Sequence, residues 1–263
     1  MNAISLSPLD LAVGASLVLF DAGLSVALRL ALHRQVLIAT ARMVVQLVAV
    51  GFILRFVFSA AHPAVTLVLI LVMAAIAARE IAVRPERSFK GLAGLSLSAG
   101  GVAIATVVTV GLALTTAIRP HPWYDARYAV TLVGIILGSV LNAGSLALDS
   151  LTGAMARERP AIEAQLALGA NFHQATARLL RQAVRRGLLP IINQMSAAGV
   201  ITLPGIMTGQ ILAGLDPLEA VKYQILLMFL LAGASGLASF VVAFGSLRRL
   251  TDDRQRLRLD RLR

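Results

Sequence analysis

The chain has 263 residues, of which 58% are hydrophobic, and its mean hydropathy is +0.82. These values lie outside the range of soluble globular proteins. The formal net charge is +11, but Lys and Arg fall in short segments between apolar runs, and no basic stripe carries interleaved aromatic residues. The charge therefore indicates membrane topology, and we expect no nucleic acid among the partners.

The residue types also limit the metal chemistry of the chain. Cysteine is absent, which excludes disulfides and thiolate metal sites. Residues 1–10 lack the basic segment that opens a cleavable signal peptide. The first apolar run is therefore expected to remain in the protein as a membrane span.

Apolar runs of about 20 residues, long enough to cross a bilayer, follow one another along the whole chain. Seven such runs are separated by charged or proline-rich breaks, at 9–31, 36–58, 63–83, 92–118, 127–149, 188–213 and 220–247. Little length remains for a soluble domain. We predict a single all-α integral membrane domain over residues 1–263, with about seven transmembrane helices in contact with the lipid bilayer.

The basic residues predict the orientation of these spans. Nineteen Lys and Arg residues belong to one side, against four at or near the other, with Arg42 inside the second span. Because cytoplasmic segments are enriched in Lys and Arg, the N-terminus is predicted outside and the C-terminus in the cytoplasm. Residues 248–263 then form a basic cytoplasmic tail.

The longest break, residues 157–187, has the pattern of two short helices. Pro160 is suited to open the first helix and Gly169 to end it, and Asn171 with Gln174 forms a capping-box pattern for the second. The apolar side of the second helix is formed by Phe172, Ala175, Leu179 and Ala183. Its basic side is formed by Arg178, Arg181 and Arg185. Two interpretations remain open: the helices lie on the bilayer surface, or they dock on a cytosolic partner.

A motif inside this break resembles a known docking element. Glu163-Ala164-Gln165, followed after three residues by Gly169, is similar to the EAA-x-x-x-G element by which membrane subunits of ABC transporters contact their ATPases. Gln165 replaces the second Ala of that element, and Pro190 comes later than the Pro of importer sequences. The resemblance implies that the ATPase-coupling residues are Glu163, Ala164, Gly169 and Ala170.

Longer stretches resemble one family of permeases more closely. Residues 203–214, with Pro204 and Gly205, and residues 216–224 are similar to the Fet-type iron-export permeases, the FetB family, and to their plant relatives linked to aluminium tolerance. Arg42 and Gln46 also fit this family. The resemblance implies a multi-pass protein of the bacterial inner membrane that exports iron, works as a homodimer and pairs with a separate cytosolic, FetA-like ATPase.

The lysines show independently that any ATPase is another chain. A P-loop requires Gly-Lys-Ser/Thr, whereas the only lysines, Lys90 and Lys222, follow Phe89 and Val221. We therefore expect a transport subunit rather than an enzyme. No cofactor is expected on this chain, and ATP and Mg²⁺ are expected on the partner ATPase.

Polar residues within the spans are the candidates for a translocation path, because such residues are costly in a membrane. Asp21 and Arg42 are predicted to form an intramembrane ion pair, which we prefer to a cation site at Asp21. Pro204 and Gly205 should break the sixth span and expose backbone carbonyls. The candidate path residues are Ser139, Asn142, Asn193, Gln194, Met195, Met207, Thr208, Gln210 and Gln224.

Metal ligands cannot be assigned from these residues. Met195 and Met207 offer thioethers, which suit Cu(I) better than iron, and methionine more often fills a core. Ser139 stands where relatives often carry Asn. All four histidines, His33, His62, His121 and His173, fall in breaks between spans and lack ligand spacing.

Two other functions are alternatives to an ABC permease. A secondary transporter or channel driven by an ion gradient, for a metal or a small solute, would be expected to show acidic relays and internal repeats. Asp21 is the single deep acid, and no repeat is visible. A membrane-embedded enzyme would need a carboxylate pair, a histidine cluster or a nucleophile motif at a span end, and the sequence has none.

Overall fold

The computed structural model describes residues 7–60, 62–118 and 125–263. These ranges contain nine α-helices and no β-strand, which confirms the predicted all-α class. The chain divides into two compact units, Met1–Ala61 and His62–Arg263. The prediction of a single domain stays a prediction.

The first unit contains two helices, α1 (Pro8–Ala27) and α2 (His33–Ala60), which pack against each other. A capping box starts α1: Ser7 Oγ accepts from the Asp10 N–H at 3.3 Å, and Asp10 Oδ2 accepts from the Ser7 N–H at 2.8 Å. Asp21 lies on α1 and Arg42 on α2. Their predicted ion pair stays a prediction.

The second unit contains the remaining seven helices, arranged around α5. They are α3 (Pro63–Val83), α4 (Leu92–Leu112), α5 (Ala126–Arg157), α6 (Arg159–Ala167), α7 (Phe172–Ala197), α8 (Gly205–Leu212) and α9 (Pro217–Arg249), and α4 continues into a π-helical segment, Ala113–Ile118. The central helix α5 packs against α3, α4, α7 and α9. The predicted span 63–83 coincides with α3, whereas α5 continues to Arg157, past its predicted end at 149.

Six helices in the described ranges are long and apolar enough to cross a membrane: α1 to α5 and α9. The sixth predicted span, 188–213, is instead formed in two pieces, by the second half of α7 and by α8. Residues 198–204 between them are not helical, and Gly199 has φ +82°. The interruption predicted at Pro204 and Gly205 is therefore present, and it begins several residues earlier.

The helix α7 also crosses the predicted boundary between the cytoplasmic segment and the sixth span. It runs from Phe172 to Ala197 without interruption, through Gly187 and Pro190. Proline removes one helical hydrogen bond but leaves the remaining turns in place. Residue 187 is consequently not a structural boundary.

Two contacts place the basic segments of the second unit at one end, which we call the basic end. The Glu86 N–H donates to Asp149 Oδ1 at 3.1 Å, joining the α3–α4 loop to α5. The Arg263 N–H donates to the Ser88 carbonyl at 2.9 Å, which brings the chain end to the same loop. The basic end therefore includes the α3–α4 loop, the end of α5 and the C-terminal tail.

The start of α9 lies at the opposite end. There, Arg127 and Tyr128 at the start of α5 line the same cavity as Tyr223 of α9. The chain must cross the unit between α6 and α9, and α7, residues 198–204 and α8 make that crossing. Which end faces the cytoplasm stays a prediction.

The C-terminal tail is packed rather than extended. Leu262 is buried, the Lys90 N–H donates to the Arg261 carbonyl at 2.9 Å, and Lys90 Nζ donates to the Asp260 carbonyl at 2.8 Å. Asp252 Oδ1 closes a turn by accepting the N–H groups of Arg254 and Arg256 at 3.0 and 2.9 Å. The tail is thus part of the folded basic end.

Candidate coupling element and translocation cavity

The helix α6 is fastened to α7 by charge and apolar contacts. Glu158 forms an ion pair with Arg178 of α7, and Ile162 is buried. On the outer face, Arg159 Nε donates to Glu163 Oε1 at 2.7 Å, one helical turn apart. The helix therefore has a fixed inner side and a solvated outer side.

Gly169 ends α6 as the sequence predicts. Its φ is +91°, its N–H donates to the Leu166 carbonyl, and the Ala170 N–H donates to the Gln165 carbonyl, both at 3.0 Å. These two bonds form a Schellman motif, in which the left-handed position strongly favours glycine. Gly169 therefore sets the sharp turn between α6 and α7.

The turn presents an exposed tip. Leu168, directly before Gly169, is 88% exposed, and Glu163, Ala164 and Gly169 are exposed as well. Ala170 is partly buried. Sequence reasoning did not single out Leu168. The signal that could have found it is an apolar residue placed directly before the glycine that ends a helix. Together these five residues form what we call the coupling tip.

The start and the apolar face of α7 follow the predicted pattern. Asn171 Oδ1 accepts the Gln174 N–H at 2.8 Å, and Gln174 Oε1 accepts the Asn171 N–H at 3.0 Å, so the predicted capping box is present. The predicted apolar side is buried, namely Phe172, Ala175, Leu179 and Ala183. Because α7 packs on α5 and α9, its apolar side is covered by protein. This packing disfavours the interpretation that α7 lies on the bilayer surface.

At Gly187, α7 approaches both α5 and α9. A Cβ at this position would lie 2.8 Å from the Ala143 carbonyl oxygen and 3.1 Å from Ala147 Cβ, and it would collide with Ser239 Oγ. A side chain has no room there, so glycine permits the close packing. This contact fixes the middle of α7 in the core.

Beyond Gly187, α7 reaches a cavity of about 410 Å³. The cavity lies between the end of α7, residues 198–204, α8 and the first half of α9. Three predicted path residues line it: Met195, Met207 and Gln224. Gln224 is 8% exposed, and its buried Oε1 has no hydrogen-bond partner. The cavity is therefore mainly apolar, with one unsatisfied amide oxygen in its wall.

Other predicted path residues lie elsewhere. Gln210, whose Oε1 is also buried without a partner, lines a second cavity of about 260 Å³ with Arg127 and Tyr223. Thr208 donates its hydroxyl to the Pro204 carbonyl at 3.1 Å and so completes the first turn of α8. The first cavity is not lined by the remaining candidates, which are Ser139, Asn142, Asn193 and Gln194.

Sequence reasoning missed Met228, the third methionine of the first cavity. It stands in a continuous apolar run, where nothing distinguishes it from a core residue. The ranges that the structure describes contain no group of three or more His, Cys, Asp or Glu residues able to hold a metal ion. His121 lies outside the described residues. Protein metal ligands therefore stay unassigned.

Comparison with known proteins gives the family. The family model "Uncharacterised protein family (UPF0014)" matches residues 8–251. The chain is 41% identical over 226 residues to the UPF0014 membrane protein slr1647 of Synechocystis, covering 85% of each chain. It is 28% identical over 266 residues to the probable iron export permease protein FetB of Escherichia coli, covering 100% of this chain and 99% of FetB.

A plant relative extends the comparison, and it agrees with the resemblance inferred from the sequence. The chain is 29% identical over 223 residues to the protein ALUMINUM SENSITIVE 3 of Arabidopsis thaliana, covering 84% of this chain and 79% of that protein. No solved structure matches. With its six candidate spans and its match over residues 8–251, the chain belongs to the UPF0014 family of multi-pass membrane proteins.

Proposed function

We propose that the protein is the membrane subunit of an ABC transporter that exports iron from the cytoplasm. The observation that carries this proposal is the continuity of α7. One helix of 26 residues, about 39 Å long, joins the coupling tip at its start to the cavity at its end. A displacement of the tip is thereby delivered to the cavity wall as a rigid-body motion.

The coupling tip has the features of a docking surface for a FetA-like ATPase. Leu168 offers an apolar anchor that no neighbour covers, and the Schellman motif at Gly169 holds it in a fixed position. The Arg159–Glu163 pair keeps the outer face of α6 polar. ATP and Mg²⁺ bind to the partner in this proposal, since the only two lysines of the chain follow Phe89 and Val221.

Iron is proposed as the substrate because the relative FetB is named as a probable iron export permease. The wall of the cavity offers the Gln224 amide oxygen as a hard donor beside the thioethers of Met195 and Met207. The broken segment, residues 198–204, adds backbone carbonyls outside any helix. We place the translocation path along this cavity.

The proposed orientation puts the basic end in the cytoplasm, because most of the Lys and Arg residues of the second unit lie at that end. The coupling tip is at this end, where a cytosolic ATPase can reach it. Two copies of the permease would supply the two membrane halves of an ABC transporter. The membrane is then the bacterial inner membrane.

The coupling assignment is tested by co-purification of a tagged FetA-like ATPase with permease variants. Gly169→Trp should abolish co-purification, because a bulky side chain in the left-handed region both blocks and distorts the tip. Gly169→Asn is the matched control, since Asn tolerates this conformation, and it should retain the ATPase. Undiminished recovery with Gly169→Trp, in protein that inserts normally into membranes, contradicts the assignment.

A further inference from the structure

A third cavity, which is polar, lies at the basic end of the protein. Its volume is about 230 Å³, and it is built by three parts of the chain. The α3–α4 loop contributes Glu86 and Arg87, α5 contributes Asp149 and Arg157, and α7 contributes Arg186. Three guanidinium groups from three different elements therefore border one cavity.

Within the described ranges, these guanidinium groups have no charged or hydrogen-bonding partner. Among the residues that the structure describes, Arg87, Arg157 and Arg186 make no ion pair within 4.0 Å and no side-chain hydrogen bond. Asp149 uses Oδ1 to accept the Glu86 N–H and so fixes the loop that carries Arg87. Three cations and two carboxylates leave one net positive charge at the cavity.

Arg157 is folded back along α5. Its Nη1 lies 3.2 Å from the position that a Cβ of Gly153 would take, one helical turn earlier. Glycine at 153 gives the guanidinium room to lie against the helix. The charge is thereby carried back toward the apolar part of α5 rather than out into solvent.

The length of α5 gives the depth of this cavity. The helix has 32 residues, and about 20 of them suffice to cross the hydrocarbon core. Counted from Ala126, the hydrocarbon ends near Ser145, so Asp149 lies about 6 Å beyond it and Gly153 about 12 Å beyond it. The headgroup layer is about 5–8 Å thick, which places Asp149 at the level of the lipid phosphates. The Arg157 guanidinium, folded back beside Gly153, lies about one helical turn farther out, at the outer edge of that layer.

We propose that this cavity is a binding site for the phosphate of a membrane phospholipid headgroup. A phosphodiester carries one negative charge, which matches the net charge of the cavity, and its oxygens suit the hydrogen-bonding geometry of guanidinium groups. The volume is that of about eight water molecules, enough for a phosphate and part of its headgroup. The bound lipid joins the α3–α4 loop, α5 and α7 at the basic end.

The first experiment titrates delipidated full-length protein with short-chain phosphatidylglycerol and follows the thermal midpoint. Arg157→Gln/Arg186→Gln should weaken the apparent affinity at least about tenfold, because each variant residue loses a charge-assisted contact. Arg181→Gln/Arg185→Gln is the charge-matched control, since both residues lie on α7 outside the cavity, and it should bind like the wild type. Equal losses in the two double variants reduce the effect to general membrane attraction and overturn the site.

Further arms separate the source of the phosphate and guard against misfolding. Inorganic phosphate and ATP, in the absence of lipid, should leave the midpoint unchanged; a shift as large as that with lipid assigns the cavity to a free phosphate and overturns the lipid proposal. Gly153→Ala keeps every charge but places a methyl group against the Arg157 guanidinium. It should weaken lipid binding in protein that remains folded and monodisperse. Wild-type affinity in both Gly153→Ala and Arg157→Gln/Arg186→Gln also overturns the proposal.

Discussion

The backbone N–H of Phe172, at the start of α7, donates to Oε1 of Gln255 at 2.9 Å, across 83 residues of sequence. The first N–H groups of a helix have no partner within the helix. The C-terminal tail therefore supplies a cap to the helix that links the coupling tip to the cavity. The end of the chain thus helps to hold the start of α7 in place.

Removal of this cap should loosen the start of α7. Gln255→Ala is expected to cost about 1 kcal/mol, the usual net contribution of one hydrogen bond, and to raise amide hydrogen exchange in residues 172–175 and 250–263. Gln182→Ala, on an exposed position of α7, serves as the control and should leave both segments protected. Identical exchange in the two variants contradicts a capping role for the tail.

Because Gly187 is closely packed, one added methyl group at this position should strongly lower the stability of the protein. Gly187→Ala should lower the stability by about 1–3 kcal/mol, because the new Cβ collides with α5 and α9. Gly233→Ala in α9 is the control: no atom lies within 4 Å of its Cβ position, and alanine favours a helix over glycine. Thermal unfolding in detergent should therefore rank Gly233→Ala at or above the wild type and Gly187→Ala below it.

The docking of the tail should weaken at low pH. The hydrogen bond from Arg258 lowers the pKa of Asp260 to about 2, and the backbone N–H of Arg256 lowers the pKa of Asp252. A carboxylate whose pKa is lowered by folding stabilises the folded state at pH values above its pKa in the unfolded chain, about 3.9. This stabilisation is lost as the pH falls toward the pKa of the folded state.

Hydrogen exchange of the tail, corrected for intrinsic rates, should thus be constant between about pH 7 and 5 and rise as the pH falls below about 4. Asp252→Asn/Asp260→Asn removes both titrating groups and should flatten this change. A tail whose protection falls equally in the wild type and in the double variant shows that other groups control its docking.

Substitution of Gln224 is expected to affect stability and transport differently. Its buried Oε1 has no partner, and burial of an unsatisfied acceptor normally costs about 1–3 kcal/mol of stability. Gln224→Leu removes this cost, so it should keep or raise the thermal midpoint. If the cavity is the translocation path, the same variant should reduce transport. Gln194→Leu is the control, because Gln194 is exposed and lies outside this cavity, and a loss of transport there as large as in Gln224→Leu moves the path elsewhere.

Local features of the fold could be predicted from the sequence because short-range chemistry determines them. Pro63 and Arg84 bound α3 as the apolar run indicates, and Gly169 ends α6 because few other residues adopt φ +91°. The capping box at Asn171 and Gln174 depends only on a spacing of three residues. Such signals fall within a single helical turn.

Long-range features could not be predicted in this way. A search for apolar runs divides α7 at residue 187, since its arginines end there, although the backbone continues as one helix. The bond between Phe172 and Gln255 joins residues with no local relationship. Met228 resembles every other apolar residue of α9 until the neighbouring helices place it at the cavity.

The most direct measurement reconstitutes the permease with a FetA-like ATPase in sealed vesicles and follows Fe²⁺ movement from the face that carries the ATPase. The expected result is Fe²⁺ movement that requires ATP, fails with Gly169→Trp and persists with Gly169→Asn. Fe²⁺ movement that proceeds without ATP under an imposed ion gradient, or ATP hydrolysis that moves no Fe²⁺ while both subunits are assembled, contradicts an ATP-driven iron exporter.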